Sequence, residues 1–356
     1  MQLEVLTTAD PTAWAQALAQ AGRHDFYHEA WYHALAEARG EGRAELLVAS
    51  HRGATVAVPL LFRPIGTQLG RGFEGLEDAT SVYGYPGPVG PHDQSDAREI
   101  RETRVTRDLG AAMTAYLRER GVVSVFSRLH PLLDHASLDG EVSGVVEAGK
   151  TASIDLSRTA EQQCSDMRSG HRNGLSRLRR AGFTCERRGA AGLEVFIGIY
   201  EATMRRLDAK PGYLFSQAHY DALVDHDRGA MELFVVVDAE QLPAAAGLFS
   251  LRCGIAQYHL SGATLEHRKH APTTLMIDDA RRWALERGAT HLHLGGGLGG
   301  AGDSLFDFKA GFGTGRHTFR VWREVLRPEV YRELAALRLR TAAATATTFF
   351  PIYRAP

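Results

Sequence analysis

Helical and extended hydrophobic patterns alternate along this chain, and the alternation predicts most of its elements. Thr12–Gln20 and Glu29–Ala38 read as helices, the second with Trp31, Tyr32 and Leu35 on one face. Glu45–Ser50 and Thr55–Phe62 read as the strands of a hairpin around Arg52-Gly53. A connection rich in Gly, Tyr and Pro then runs from Gly66 to Gly90, and connections of that length in compact domains are often functional. Val105–Arg120 reads as a helix ended by Gly121, with the apolar strand VVSVF behind it.

The pattern then starts again near Lys150. Ala160–Ala181 reads as one long helix, Thr184–Arg188 as a strand, and Gly192–Asp208 and Ser216–Asp225 as helices. Three strands follow, Glu232–Asp238, Ala245–Leu251 and Ile255–Ser261. Behind them come a helix over Thr273–Arg287, the strand HLHL, a glycine-rich loop, the strand Thr318–Trp322 and a helix over Pro328–Arg340. The tail, TAAATATTFFPIYRAP, is of low complexity with an aromatic end. Glu119-Arg120-Gly121 and Glu286-Arg287-Gly288 close equivalent helices, Tyr116 matches Trp283, and a strand follows each, so the two halves look like copies of one unit. Antiparallel strands followed by a helix and another strand make the class α+β, with one mixed sheet flanked by helices in each of two tandem domains. The boundaries expected are 1–150, 151–325, and a C-terminal helix and tail, 326–356, packed back on the body.

Composition narrows the chemistry. The chain has 356 residues and a net charge of -1, so any contact with an anionic partner must come from a local patch. Three scattered cysteines, Cys164, Cys185 and Cys253, lack metal or disulfide spacing and fit a reducing compartment. The N-terminus carries no basic and apolar leader, and no apolar run reaches membrane-spanning length, so a cytoplasmic location is expected. Only four of the 41 Lys and Arg residues are lysine: Lys150, Lys210, Lys269 and Lys309. Lys309 sits in DSLFDFKAGFG, between phenylalanines and glycines, where an ammonium is shielded from water.

Four stretches are candidates for chemistry. The loop GGGLGG, Gly295–Gly300, offers backbone to a phosphate or, more plainly, gives the next segment room to fold back. It matches neither the P-loop nor the dinucleotide fingerprint. The helix MRSGHRNGLSRLRRAG concentrates Arg168, Arg172, Arg179 and Arg180 beside His171, which makes either a phosphate footprint or a solvated basic face. In YEATMRRLDAKPGYLFSQAHY, Thr203 and Arg205 precede Tyr213, Phe215 and Tyr220, which form either cleft walls or core. His291 and His293 share a strand face without a third ligand, so no metal is expected. His130–Asp134 matches HxxxD, but without the doubled His and trailing Gly of the acyltransferase form.

ATMRRLDAKPGYLFS, QYHLSGAT, ALERGATHLHLGGG and DSLFDFKAGFG, in that order, resemble the C-terminal half of the FemABX peptidyltransferase family, and DATSVYGYPGP is similar to the N-terminal half of its smaller GNAT relatives. The resemblance spans roughly residues 20–325. It implies two tandem GNAT-like domains and transfer of an aminoacyl group from aminoacyl-tRNA to an amine, the acceptor being a cell-wall precursor, natural product or other small peptide. No cofactor is implied beyond that co-substrate, and a monomer or weak dimer is expected. By motif, Phe308-Lys309 resembles the family's active-site pair. Thr203 and Arg205 resemble acceptor-binding positions, Tyr258 resembles a cleft tyrosine and Asp78 is a weaker match, with Tyr213 and Tyr83 as further expected substrate contacts. Arg168, Arg172, Arg179 and Arg180 are the expected tRNA contacts. The family's long charged coiled-coil insertion is missing, which leaves the tRNA docking mode open.

The alternative donor is acyl-CoA. A CoA pyrophosphate wants glycine-rich backbone at a helix N-terminus, whereas Ala263–Thr274, ATLEHRKHAPTT, has no glycine and places Pro272 where a donor is needed. QLGRGF at Gln68 has the wrong spacing. For the aminoacyl reaction Lys309 would face a developing oxyanion or a phosphate, and the proton of the acceptor amine would go to the ribose oxygen, Asp303 or Asp78.

Overall fold

The computed structural model describes residues 2–66, 73–91, 96–133, 144–225, 231–298, 301–341 and 349–355. QLGRGF apart from Phe73, Asp134 of the HxxxD match, Gly299–Gly300 and the low-complexity part of the tail lie outside the described residues. The chain divides into two units, one of Met1–Ala148 with Thr318–Pro356 and one of Gly149–His317.

The first unit begins with strand β1 (Gln2–Thr7), helix α1 (Pro11–Ala21) and helix α2 (Ala30–Ala38). Strands β2 (Arg43–His51) and β3 (Ala54–Pro64) form the expected hairpin, with positive φ at Arg52 and Gly53 in its turn. Strand β4 (Glu77–Thr80) lies within the Gly/Tyr/Pro connection, too short to be seen in its pattern. Helix α3 (Asp96–Arg120) leads into strand β5 (Val122–Arg128). Val122, Val125, Leu109, Met113 and Leu117 join Leu47, Val56, Leu60 and Trp322 in one buried core. Burying such side chains contributes about 1.5–3 kcal/mol each.

The second unit takes strand β6 (Val145–Asp155), helix α4 (Ala160–Asp166), helix α5 (Ser169–Arg180), strand β7 (Thr184–Arg187), helix α6 (Leu193–Arg206) and helix α7 (Gln217–Leu223). It continues with strands β8 (Glu232–Val237), β9 (Pro243–Arg252) and β10 (Ile255–Ala263), helix α8 (Thr273–Glu286), strand β11 (His291–Gly296) and helix α9 (Ser304–Ala310). Strand β12 (Gly315–Val325) and helix α10 (Pro328–Thr341) complete the chain.

The long helix expected over Ala160–Ala181 is two helices. Met167 turns to ψ 133°, and the Arg168 N–H bonds to the Gly311 carbonyl at 2.7 Å rather than continuing the helical ladder. Nη1 of Arg172 donates to the carbonyls of Met167, Cys164 and Ser165 that the break exposes.

Sheet order repeats between the units. In the first it is β1-β2-β3-β4-β5-β12, and in the second β7-β8-β9-β10-β11-β6. In both, the fourth and fifth strands are parallel and the other neighbouring strands named here are antiparallel. The fold is therefore α+β with two GNAT-like units. The last strand in the chain, β12, pairs through Val321–Val325 with β5, so the residues after His317 group with the first unit and the expected boundary at 325 shifts. Hydrophobic spacing predicts a strand there but carries no information about which sheet receives it.

Candidate functional site

The second unit's sheet opens between its two parallel strands. β10 and β11 pair only from Ile255↔His291 to Gln257↔His293. Beyond that point β10 follows β9 to Ala263, with a register shift between Tyr258 and Ser261, while β11 follows β6 with a shift between His293 and Gly295. Irregularities of this kind end pairing and re-aim side chains. At the last pair His293 Nδ1–H donates to Gln257 Oε1 at 2.7 Å.

The glycine loop turns β11 back toward the opening. Gly295 has φ +77°, which favours glycine. A Cβ on Gly297 would stand 2.3 Å from both the Ala301 carbonyl and Asp303 Oδ1. The loop is thus the space in which the Asp303 cap sits. Asp303 Oδ1 accepts the Phe306 N–H and Oδ2 the Leu298 N–H, each at 2.8 Å, starting α9. These backbone bonds hold its carboxyl below the usual range. That corrects the expectation of Asp303 as a proton acceptor: both oxygens are engaged, and a carboxylate stabilised in this way is a weak base.

α9 carries Phe308 and Lys309. Lys309 is half-buried, and its Nζ donates to the Gly296 carbonyl at 2.9 Å. The ammonium lies 5.7 Å from the centre of the Tyr258 ring across the opening. Burial pulls Lys309 down to about 8, against the opposing charge of Asp303. Burial pushes Tyr258 up to about 12, so it stays neutral, with its hydroxyl bonded to Ser261 and its ring stacked on Phe249. Phe308 packs on the core, and its carbonyl accepts the Nε2–H of His171 at 2.8 Å. The sequence reading counts His171 among the basic face. Its close partner Gly311, in the AGFG run, is the signal that ties it to Lys309's segment.

The other predicted residues are elsewhere. Thr203 is 7% exposed, and its hydroxyl donates to the Ile199 carbonyl at 2.8 Å while accepting the Ala263 N–H and an Arg206 N–H. A hydroxyl offers one hydrogen and two lone pairs, so Thr203 is saturated and joins α6 to β10. Arg205 is exposed and paired with Glu201 one turn away at 2.5 Å. Tyr213 is half-buried, its carbonyl accepting the Tyr200 hydroxyl. Asp78 and Tyr83 belong to the first unit. Asp78 is fully buried, with Oδ1 on Arg63 at 2.7 Å and Oδ2 on Arg354 at 2.8 Å, which makes it an ion-pair centre rather than a substrate ligand. Tyr83 is 43% exposed.

The basic helix also divides. Arg172 caps α4, and Arg179 donates to the buried Asp278 at 2.6 Å, so both serve packing. Arg168, Arg177 and Arg180 are exposed, as is Arg179 beside its ion pair. In the connection before α8 the Arg268, His270 and Ala271 N–H groups bond to the Leu265, His267 and Arg268 carbonyls, and in its first turn those of Thr274 and Leu275 bond to Ala271 and Pro272, so none of these is a bare amide. Among the described residues no helix is long and apolar enough to cross a membrane.

Comparison with known proteins follows the same division. Residues 165–310 match the model of the acetyltransferase (GNAT) domain. No curated protein matches the chain in sequence. Among solved structures, FemX aligns with a TM-score of 0.67 at 14% identity, over 94% of this chain and 99% of its own. L-PGS from Bacillus licheniformis aligns at 0.54 and 16% identity, over 88% of this chain and 91% of its own. The C-terminal domain (DUF2156) of a putative lysylphosphatidylglycerol synthetase from Agrobacterium fabrum aligns at 0.53 and 14%, over 94% and 98%. At such identities the likeness is one of fold. In fold the chain is similar to FemX, and its residues 165–310 are similar to the acetyltransferase (GNAT) domain.

Proposed function

We propose that the protein is an aminoacyltransferase that joins the aminoacyl group of an aminoacyl-tRNA to the amine of a small-molecule or peptide acceptor. The observation that carries this reading is the Lys309 ammonium at the sheet opening. It gives one hydrogen to Gly296 and, among the described residues, keeps the others for a ligand.

In the reaction the neutral acceptor amine attacks the ester carbonyl carbon. A C–N bond forms and the carbonyl oxygen becomes an oxyanion. Lys309 donates to that oxygen from a site partly shielded from water, where the interaction is stronger than in bulk solvent. The C–O bond to the ribose then breaks, and the amine proton passes to the departing ribose oxygen. Holding both substrates in one orientation supplies further acceleration without a strong base. The engaged Asp303 carboxylate fits that economy.

The exposed Arg168, Arg177 and Arg180 form the cationic face that meets the donor's phosphates, with Arg172 and Arg179 bracing the helix behind it. Tyr258 walls the cleft, and Tyr213 is the remaining aromatic candidate of the same unit for acceptor contact. The absence of a bare-amide loop before α8 favours aminoacyl-tRNA over acyl-CoA as donor.

The test is amide formation from charged tRNA and a panel of amines, with and without ribonuclease. Product that disappears with ribonuclease is expected. Product that survives it and requires acetyl-CoA would make the protein an N-acetyltransferase instead.

A further inference from the structure

The helix that carries Lys309 has little to hold it in place by itself. α9 is seven residues long, and isolated helices of that length are not stable in water. Its direction is set by contacts at its two ends. Asp303 caps the first turn, as described. At the other end three groups reach the last carbonyls: His171 Nε2–H on Phe308 at 2.8 Å, the Arg168 N–H on Gly311 at 2.7 Å, and the Arg316 guanidinium on Ala310 at 2.5 Å.

The His171 bond differs from the other two in what it fixes. The Phe308 carbonyl and the Lys309 N–H belong to one planar peptide unit, so holding that oxygen holds the orientation in which Lys309 leaves the backbone. The imidazole is itself held, with its ring centre 4.4 Å from that of Phe312 and 5.1 Å from that of Phe308. Gly311 completes the fit: a Cβ there would stand 2.6 Å from Nε2. Gly311 has φ -74°, a value any residue adopts, so it is the nearness of the ring, and not the backbone, that asks for glycine. A carbonyl only accepts, so Nε2 carries the hydrogen, in the neutral ring and in the cation alike.

We infer that His171 is a positioning residue for Lys309, acting through the Phe308–Lys309 peptide, with Gly311 as the space that admits its ring. This rests on reading Lys309 as the cationic group of the site, and the experiment separates the two ideas. The chain has four lysines, so the protein labelled with [ε-13C]lysine gives four side-chain signals, and Lys309→Met assigns the one of interest. In the wild type that signal titrates near the depressed value of about 8. In His171→Ala the ammonium loses its fixed seat, and the midpoint moves toward 10.5, the ordinary lysine value. His171→Gln, whose amide N–H also donates, restores it in large part. Gly311→Ala pushes the ring away without backbone strain and reproduces the His171→Ala shift, which covers the case of a poorly folded His171→Ala protein.

In turnover His171→Ala lowers kcat by about 10- to 100-fold with KM little changed, the scale of a reacting group displaced by about 1 Å. An unchanged Lys309 midpoint in both His171→Ala and Gly311→Ala overturns the inference. A wild type that makes no amide from any donor, while the midpoints shift as described, overturns the proposed reaction and leaves the positioning role standing.

Discussion

The two units share one strand order and differ in the charge they place beside the parallel strand pair. In the first, β4 pairs with β5 at Glu77↔Val122, Ala79↔Val125 and Thr80↔Phe126, with a register shift after Glu77, and the Ser81 N–H adds a bond to the Phe126 carbonyl. Its inward charges are neutralised in groups: Arg63 and Arg354 around Asp78, and Arg43 and Arg120 around Glu45 and Glu77. In the second unit the matching pair also spans three residue pairs, and the charge beside its end is a lysine whose hydrogen-bond partner is a carbonyl. A duplicated fold thus matches buried carboxylates with arginine in both copies, Asp78 in the first and Asp278 in the second, and in the second also leaves a lysine available beside the parallel pair. A group held in an unfavourable ionic state by its surroundings is a recurring mark of a functional site.

The sharpest way to break this comparison is to remove one charge from each unit. Lys309→Met should lower kcat by about 10²–10³-fold, the usual cost of deleting a donor to a developing oxyanion. Its thermal midpoint should stay level or rise, because an ammonium is taken out of a partly dry site. Asp78→Ala should do the reverse. It leaves two guanidinium groups facing a buried, uncompensated site, at a cost of about 3–5 kcal/mol of stability, while the protein that remains folded keeps its turnover. Equal losses of activity at equal stability in the two variants would remove the distinction between the units.

Proton linkage gives a second test of the same lysine. Its midpoint is depressed to about 8 from the ordinary 10.5. If the ammonium is the active form, kcat falls as pH rises through about 8. The sign for stability is separate. Between about 8 and 10.5 the unfolded chain holds a proton that the folded chain has released, so wild-type stability rises with pH across that window. The gain from Lys309→Met is therefore full at pH 7 and fades by about pH 10.5. Denaturant melts of both proteins at several pH values measure it, and a pH-independent difference would mean that Lys309 is not held in a depressed state.

Thr203 separates packing from binding. Thr203→Val keeps the shape and removes a hydroxyl that serves two backbone groups, the Ile199 carbonyl and the Ala263 N–H. A stability loss of about 1–3 kcal/mol is expected, with unchanged KM for the acceptor. A raised KM in a fully stable variant would return Thr203 to the acceptor site.

These cases also show what a sequence discloses. Strands, helices and the repeat follow from local periodicity, which is why the α+β halves and the Glu-Arg-Gly helix ends are legible. The partners of a polar side chain depend on contacts distant in sequence. Arg172, five residues past Met167, looks like one more arginine on a basic face until the break at Met167 makes it a cap. Asp78 and Arg354 lie 276 positions apart, and nothing local links them. Lys309 was legible because its rarity and its glycine- and phenylalanine-rich surroundings are local features. The opening between β10 and β11 is not, since it consists of register shifts, and Tyr258 is singled out in the sequence only by resemblance.

The smallest effect concerns the basic helix, where the distinction between exposed and engaged charge recurs within one element. Arg168, Arg179 and Arg180 are all exposed, but Arg179 is tied to the buried Asp278, and Arg172 holds the carbonyls at the end of α4. Arg168→Ala and Arg180→Ala should each weaken tRNA binding by about 1 kcal/mol or less and reduce the salt slope by about one, with no change in melting. Arg172→Ala should lower the melting temperature by freeing the carbonyls that close α4, and should leave the salt slope as it is. Filter binding across a salt series, run beside thermal melts, reads both quantities on the same variants. If Arg172→Ala shifts the salt slope and Arg168→Ala shifts the melt, the assignment of the two faces is inverted.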